Sequence, residues 1–433
     1  MIISFTVSNF RSIQNSATLA MTQNRSIKDS EDAVIDQPIG STHPLLRTAV
    51  IYGLNGTGKT NLLLAINRMR EIIVYGHRST DGDHIKVEPF LLSEEINEKP
   101  TSFKIAFVVD GIKYDYEFSV TRTRVVHENL IAFPNNVKQN WFIRNYNSKN
   151  DRYDWKFGTN FKGERKSIKN RTLQNVLYLS KAAQDNHELI KPIIKFFRQH
   201  LNVIFSENNT SFYTTKMLAD PNRKGKLMHF LNDLDLGFED INIESEAISE
   251  DILKLAEHIP EKTRELLAGQ QILKAKSVHS IPGTEKTIEF DFSEHESVGT
   301  QQAFSLAGPI VDILQNGGVL VVDELETSLH IKLFQRIIKY FNDGNYNKRD
   351  AQLIFSTHTP AAVDAIDFRR DQIWFTDKTE SARTILYSLA DLKKVRKDLK
   401  SVRKGQKISK GILEGAFYTP PKYEEEQLTL FDL

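Results

Sequence analysis

Residues 48–60 read Thr-Ala-Val-Ile-Tyr-Gly-Leu-Asn-Gly-Thr-Gly-Lys-Thr. Thr48 to Tyr52 is a short apolar run bounded by Gly53, consistent with a buried strand. From Lys59 onward apolar residues recur at helical spacing (Leu62, Leu63, Ile66, Met69, Ile73), so a helix follows at once. The segment between, Gly53 to Thr60, matches the phosphate-loop pattern G-x-x-x-x-G-K-[ST]. Its glycines let the backbone curl so that amide N–H groups point inward at a phosphate, and the helix adds its positive end. Lys59 is a point charge for β- and γ-phosphates, and Thr60 can offer a hydroxyl to Mg2+. A glycine-rich turn before a helix is the ordinary alternative, but strand before and helix after is the context the motif requires. Gly53, Asn55, Gly56, Thr57, Gly58, Lys59, Thr60 and Asn61 are therefore the candidate nucleotide-contacting residues.

Three later stretches complete a phosphate chemistry. Gly318 to Glu324 is an apolar strand ending in two carboxylates. Asp323 there can support Mg2+ and Glu324 can polarise a water at the γ-phosphate, with Glu326 a weaker competitor for the base. A strand followed by a solvated acidic turn is the plainer alternative, and the phosphate loop argues against it. Leu353 to His358 is another short apolar strand, ending in a histidine 35 residues after Asp323. A lone histidine is more often structural, but this position in the series suits one that meets the γ-phosphate or orients the attacking water. Ser297-Val-Gly299 opens a helix with small residues, an anion site by the same amide and dipole physics but a weak signal alone.

The rest of the chain places these motifs. Residues 1–10 alternate apolar and polar and read as a strand, and 22–45 as loop. Asp110-Gly111 sits between two alternating runs, a strong hairpin signal within an antiparallel layer over 86–145. Residues 145–172 read as polar loop, and 173–270 as mainly helical, HELIKPIIKFFRQHLNVI and EDILKLAEHIPEKTRELLAGQ being the best cases. Residues 271–296 return to strand character, 301–315 are helical, and 371–388 resemble a closing hairpin.

In this order the elements resemble the ATP-binding-cassette ATPases, and more closely the soluble branch of RecF and SMC heads and OLD-like ATPases. The resemblance rests on VSNFRSI (7–13), GLNGTGKT (53–60), ESVGTQQ (296–302), VLVVDELETSLH (319–330) and STHTP (356–360). The closing RRDQIWFTDK (369–378) is similar to small bacterial AAA ATPases of the RloA type. It implies an α/β fold: an ABC-type P-loop NTPase head, a mixed sheet with flanking helices plus an antiparallel β layer, carrying a helical insertion. Expected segments are 1–145 (N-terminal half of the head), 146–280 (insertion), 281–390 (C-terminal half) and 391–433 (basic extension). It also implies ATP and Mg2+ as cofactors, with two heads sandwiching ATP between one phosphate loop and the other's Ser297 and Gly299. Lys59 and Thr60 then bind phosphate and metal, Asp323 supports the metal, Glu324 is the general base and His358 the switch histidine. Arg11 falls near the nucleotide, and Ser328-Leu-His330 where the family's D-loop crosses the dimer interface. Two departures stand out. No glutamine occurs from Asn61 through Lys138 to serve as the family's metal-contacting residue, and no stretch after His358 resembles the Toprim nuclease of OLD enzymes.

Composition sets outer bounds. At about 150 residues per domain, 433 residues suggest two to three units. With 57 Lys+Arg against 56 Asp+Glu, the chain is neither a basic nucleic-acid coat nor an acidic disordered one. It has no cysteine, which excludes disulfides, thiolate metal sites and thiol nucleophiles and fits a cytoplasmic setting. No secretory signal or membrane span is visible. Asn347-Lys-Arg-Asp350 matches the guanine-reading N-K-x-D of GTPases, but it follows a helix and precedes a strand, so it reads as loop. Residues 392–410 carry nine Lys/Arg and one Asp, with Leu392, Val395, Leu399 and Val402 at helical spacing, and read as a solvated face, an acidic-partner patch or a nucleic-acid contact. The expected function is an ATPase whose nucleotide-gated dimer or higher homo-oligomer controls a separate effector such as a nuclease, in anti-phage defence. The alternatives are a nucleotide-sensing scaffold with little turnover and a RecF/SMC-like DNA repair ATPase.

Overall fold

The structure, a computed structural model, describes residues 1–36, 38–93, 99–205, 210–247, 271–359 and 366–391. The basic stretch 392–410, the helical pattern at 250–270 and Pro360 lie outside the described residues. Two compact units divide the chain: Met1–Ser206, Ile313–Glu326 and residues from Ile337 onward form the first, and Glu207–Asp312 with Thr327–Arg336 the second.

The first unit holds two large sheets. One is antiparallel and seven-stranded: β1 (Ile2–Ser8), β2 (Ala17–Ala20), β6 (Thr101–Val109), β7 (Ile112–Val120), β8 (Val125–Phe133), β9 (Gln139–Asn147) and β10 (Arg152–Phe157), in the order β10-β9-β8-β7-β6-β1-β2. Val109 pairs with Ile112 across the expected hairpin, and both turn residues take positive φ, 47° at Asp110 and 75° at Gly111. That is the two-residue turn whose twist matches the strands, and Asp-Gly is a favoured pair for it. Between β2 and the phosphate-loop strand lie the two-residue strands β3 (Val34–Ile35) and β4 (Leu45–Leu46), paired with each other.

The other sheet has six strands: β5 (Thr48–Tyr52), β11 (Leu201–Ile204), β15 (Val319–Val322), β16 (Gln352–Thr357), β17 (Ile373–Lys378) and β18 (Thr384–Ser388), ordered β11-β15-β16-β5-β17-β18. The first five run parallel, with only β17–β18 antiparallel. Both faces are covered, so β5, β15 and β16 are buried at every position, as parallel strands require. Gln352 joins the two sheets. Its amide nitrogen donates to the carbonyls of Ile2 and Leu46 (3.0 Å each), and its oxygen accepts the Ile2 N–H at 2.6 Å. The architecture is α/β, a mixed sheet with flanking helices beside an antiparallel layer. β16 lies between the phosphate-loop strand β5 and the acidic strand β15.

The second unit contains a three-stranded sheet, β12 (Asp240–Ala247), β13 (Gln271–Ser280) and β14 (Thr287–Asp291), and helices Ser211–Leu218 and Pro221–Asp233. Residues 146–280 are thus divided between the two units rather than forming one body. Several stretches differ from their sequence reading, among them Asp240–Ala247, read within a mainly helical span and found as a strand because it pairs antiparallel with β13. Residues 152–157, read as loop, add β10 to the edge of the antiparallel sheet. Leu201–Ile204, read as the end of a helix, extends instead because it pairs parallel with Val319–Val322.

Candidate functional site

Because β5, β15 and β16 are adjacent and parallel, their C-terminal ends share one edge, where α/β sheets bind ligands. Gly53, Asp323 and His358 follow those ends directly. Helix α1 (Lys59–Tyr75) begins at Gly58, whose φ of 108° closes the loop turn. A Cβ on Gly58 would lie 2.1 Å from Thr384 Oγ1, and one on Gly53 2.3 Å from Thr376 Oγ1. Gly56, at φ 79°, faces open space, and Asn55, Gly56 and Thr60 are exposed. Lys59 is buried, and its Nζ donates to the carbonyls of Gly53 (2.7 Å) and Leu54 (3.2 Å). Burial pushes the Lys59 ammonium below its usual range, while the charges of Glu324, Asp323 and Glu326 pull it back up. An ammonium so desolvated, beside an open loop, fits a phosphate better than it fits water.

A directional chain of hydrogen bonds seats this loop. Arg11 donates to Asn61 Oδ1 (3.2 Å), and Asn61 Nδ2 donates to Ser12 Oγ (2.6 Å). Ser12 Oγ meets Thr384 Oγ1 at 2.7 Å, and Thr384 Oγ1 donates to the Thr57 carbonyl at 2.8 Å. Thr57 Oγ1 donates to the Leu54 carbonyl and lies 2.8 Å from Thr376 Oγ1. Arg11, at φ 48°, is also paired with Glu88 at 2.9 Å. The candidate Arg11 is therefore brought to the first turn of α1. Ser12 and Thr376 lie within the stretches 7–13 and 369–378 that carry the resemblance, though without an assigned role, and Thr384 lies in none of them.

Asp323 is buried, and Ser356 Oγ donates to its Oδ1 at 2.5 Å while accepting the Glu324 N–H at 2.8 Å. Ser356 thus locks β16 to the carboxylate turn, in which Glu324 takes φ 51°. A carboxylate and a hydroxyl, Asp323 and Thr60, form the hard-oxygen donor set that suits Mg2+, which usually keeps most of its remaining ligands from water and phosphate. Among the described residues no group of three or more His, Cys, Asp or Glu could hold a metal unaided. His358 does not stand alone: its N–H donates to Glu326 Oε1 at 2.8 Å, and its Nδ1 lies 3.2 Å from the same oxygen.

Ser297 and Gly299 belong to the second unit, at the start of helix α2 (Val298–Asn316). Ser297 Oγ accepts the Thr300 N–H at 3.1 Å, a cap of the first turn. A Cβ on Gly299 would come 2.8 Å from the Ser328 carbonyl, so only glycine fits. Asn347 is structural: its amide donates to the carbonyls of Phe341 and Ala351 and accepts the Ala351 N–H, which leaves it no edge for guanine. Among the described residues no helix is long and apolar enough to cross a membrane.

Residues 49–364 match the family described as "AAA domain, putative AbiEii toxin, Type IV TA system". No curated protein matches the chain. Among solved structures, the chain is similar to an SMC head bound to the C-terminal winged-helix domain of ScpA, at 12% identity and TM-score 0.41 over 89% of this chain and 97% of that one. It is similar to the SMC head of Thermotoga maritima at 12% identity and TM-score 0.39, over 89% and 98%. A Pyrococcus furiosus Smc head with an extended coiled coil, bound to the C-terminal domain of ScpA, gives 11% and 0.38, over 92% and 99%.

Proposed function

The chain belongs to this AAA-domain family, and from that premise we propose that it is an ATP-binding and ATP-hydrolysing ABC-type ATPase whose nucleotide-dependent dimerisation controls a partner effector. The observation that supports it most is the shared strand edge at Gly53, Asp323 and His358, with Lys59 desolvated beside three carboxylates. In this reading the amides of residues 53–60 hold the β-phosphate and Lys59 leaves its loop carbonyls for the γ-phosphate. Mg2+ held by Thr60 and Asp323 would neutralise charge that develops on the phosphates. Glu324 takes the proton of the attacking water, and Ser356 keeps Asp323 and the Glu324 backbone in place.

Ser297 and Gly299 act on the nucleotide of a second copy, the capped helix start offering its amides to that γ-phosphate. The family description, which names a putative AbiEii toxin and a Type IV TA system, is what supports a role in anti-phage defence. In this reading the output is a separate effector, such as a nuclease. The test is sedimentation of wild type and Glu324→Gln with Mg·ATP. ATP-dependent dimers that persist only in Glu324→Gln support the reading, and monomers in both under saturating ATP refute it.

A further inference from the structure

Two groups at the catalytic edge are bound to each other. Glu326, on the turn after β15, is nearly buried, with its side chain 10% exposed. Its Oε1 accepts the backbone N–H of His358 at 2.8 Å and faces the ring Nδ1 at 3.2 Å. One oxygen thus accepts a hydrogen bond from the main chain and lies in ion-pair contact with the ring, which holds the two side chains against each other. Glu326 Oε2 is buried and has no hydrogen-bond partner among the described residues. It is available to take over the ring while Oε1 keeps the main chain. An imidazole nitrogen facing a carboxylate oxygen carries its proton there, so in the neutral ring the opposite nitrogen is the acceptor.

We propose that Glu326 is a positioning residue for the hydrolytic reaction: it holds His358 in the Nδ1–H tautomer, so that Nε2 accepts a hydrogen bond from the attacking water. The proposal rests on the ATPase reading above and adds a division of labour. Glu324 is left as the base, and Glu326, with Oε1 committed to His358, orients rather than abstracts. The two carboxylates differ in this respect although only one residue separates them. The same pattern, in which a carboxylate fixes a histidine tautomer so that the far nitrogen can act, is a general device of histidine chemistry.

The first arm is nitrogen-15 NMR of the full-length wild type with the His358 ring neutral, its signal identified by loss in His358→Gln. Protonation at Nδ1 is expected, and protonation at Nε2 overturns the proposal. The second arm is turnover. Glu326→Gln keeps an acceptor oxygen and should stay within about threefold of wild type, whereas Glu326→Leu should lower kcat about tenfold or more with KM for ATP unchanged. In a His358→Gln background Glu326→Leu should cost nothing further. Wild-type turnover in Glu326→Leu, or a Glu326→Gln as inactive as Glu324→Gln, overturns the proposal. Should Glu326→Leu not fold, the wild-type tautomer decides alone. Absence of ATP hydrolysis by wild type would instead refute the ATPase reading, and the tautomer would still be measurable.

Discussion

Replacing Thr384 by valine should loosen the phosphate loop by a calculable amount. Thr384 is buried, and its hydroxyl makes two bonds, to the Thr57 carbonyl at 2.8 Å and to Ser12 Oγ at 2.7 Å. Valine keeps the volume and the Thr384 N–H bond to the Ser12 carbonyl but removes both hydroxyl bonds. Ser12 Oγ retains Asn61, so the main loss falls on the Thr57 carbonyl. At about 1 kcal/mol net per hydrogen bond, the change destabilises the fold by about 2 kcal/mol. For a chain of this size that is a fall in Tm of about 2 °C. The same 2 kcal/mol bounds the loss of nucleotide affinity at about 30-fold. Calorimetric unfolding of wild type, Thr384→Val and Thr384→Ser, with and without Mg·ATP, reads both quantities. The serine variant keeps the hydroxyl and should track wild type more closely. A valine variant that melts with wild type, or a serine variant that is the worse of the two, refutes the role given to this hydroxyl.

Other consequences follow from the same geometry. Gly58→Ala should abolish ATP binding, since φ 108° strains any side chain and its Cβ would meet Thr384 Oγ1 at 2.1 Å; equilibrium dialysis checks this. Arg369→Met should cost about 3–5 kcal/mol in denaturant unfolding, because fully buried Arg369 pairs with both oxygens of Asp371 at 2.9 and 3.0 Å. Glu117 and His127 set a pH window. The His127 bond holds the Glu117 carboxyl down at about 2, and that same bond raises His127 above 6.5. The depressed carboxyl gives stability that is present above about 4.5 and lost as pH falls through its folded value, whereas the raised imidazole gives stability that is present below about 6.5 and lost as pH rises through its folded value. Stability from the pair therefore peaks between these limits, and His127→Gln should flatten the decline on the alkaline side in urea titrations at a series of pH values.

What the sequence shows and what it hides divide along contact distance. Gly53 to Thr60, the Asp110-Gly111 turn and the apolar strand ending at Asp323 are legible because local backbone needs dictate their residue types. Thr384 is not, because it acquires its role from residues far along the chain, Thr57 and Ser12. Leu201–Ile204 continues a helical pattern and becomes a strand only because Val319–Val322 lies beside it. β10 was within reach: Tyr153, Trp155 and Phe157 alternate with Arg152, Asp154 and Lys156, a period of two masked by the polar composition around it. The Glu326–His358 bond was hidden because it joins the turns after two different strands, whose adjacency only the sheet order reveals.

The most direct test of the proposed chemistry is phosphate release from Mg·ATP by purified wild type beside Glu324→Gln, with bound nucleotide measured in both. Hydrolysis by wild type, lost in Glu324→Gln while ATP binding remains, is the expected result. A wild type that neither binds nor hydrolyses ATP would contradict the assignment of Lys59, Asp323 and Glu324 to this site.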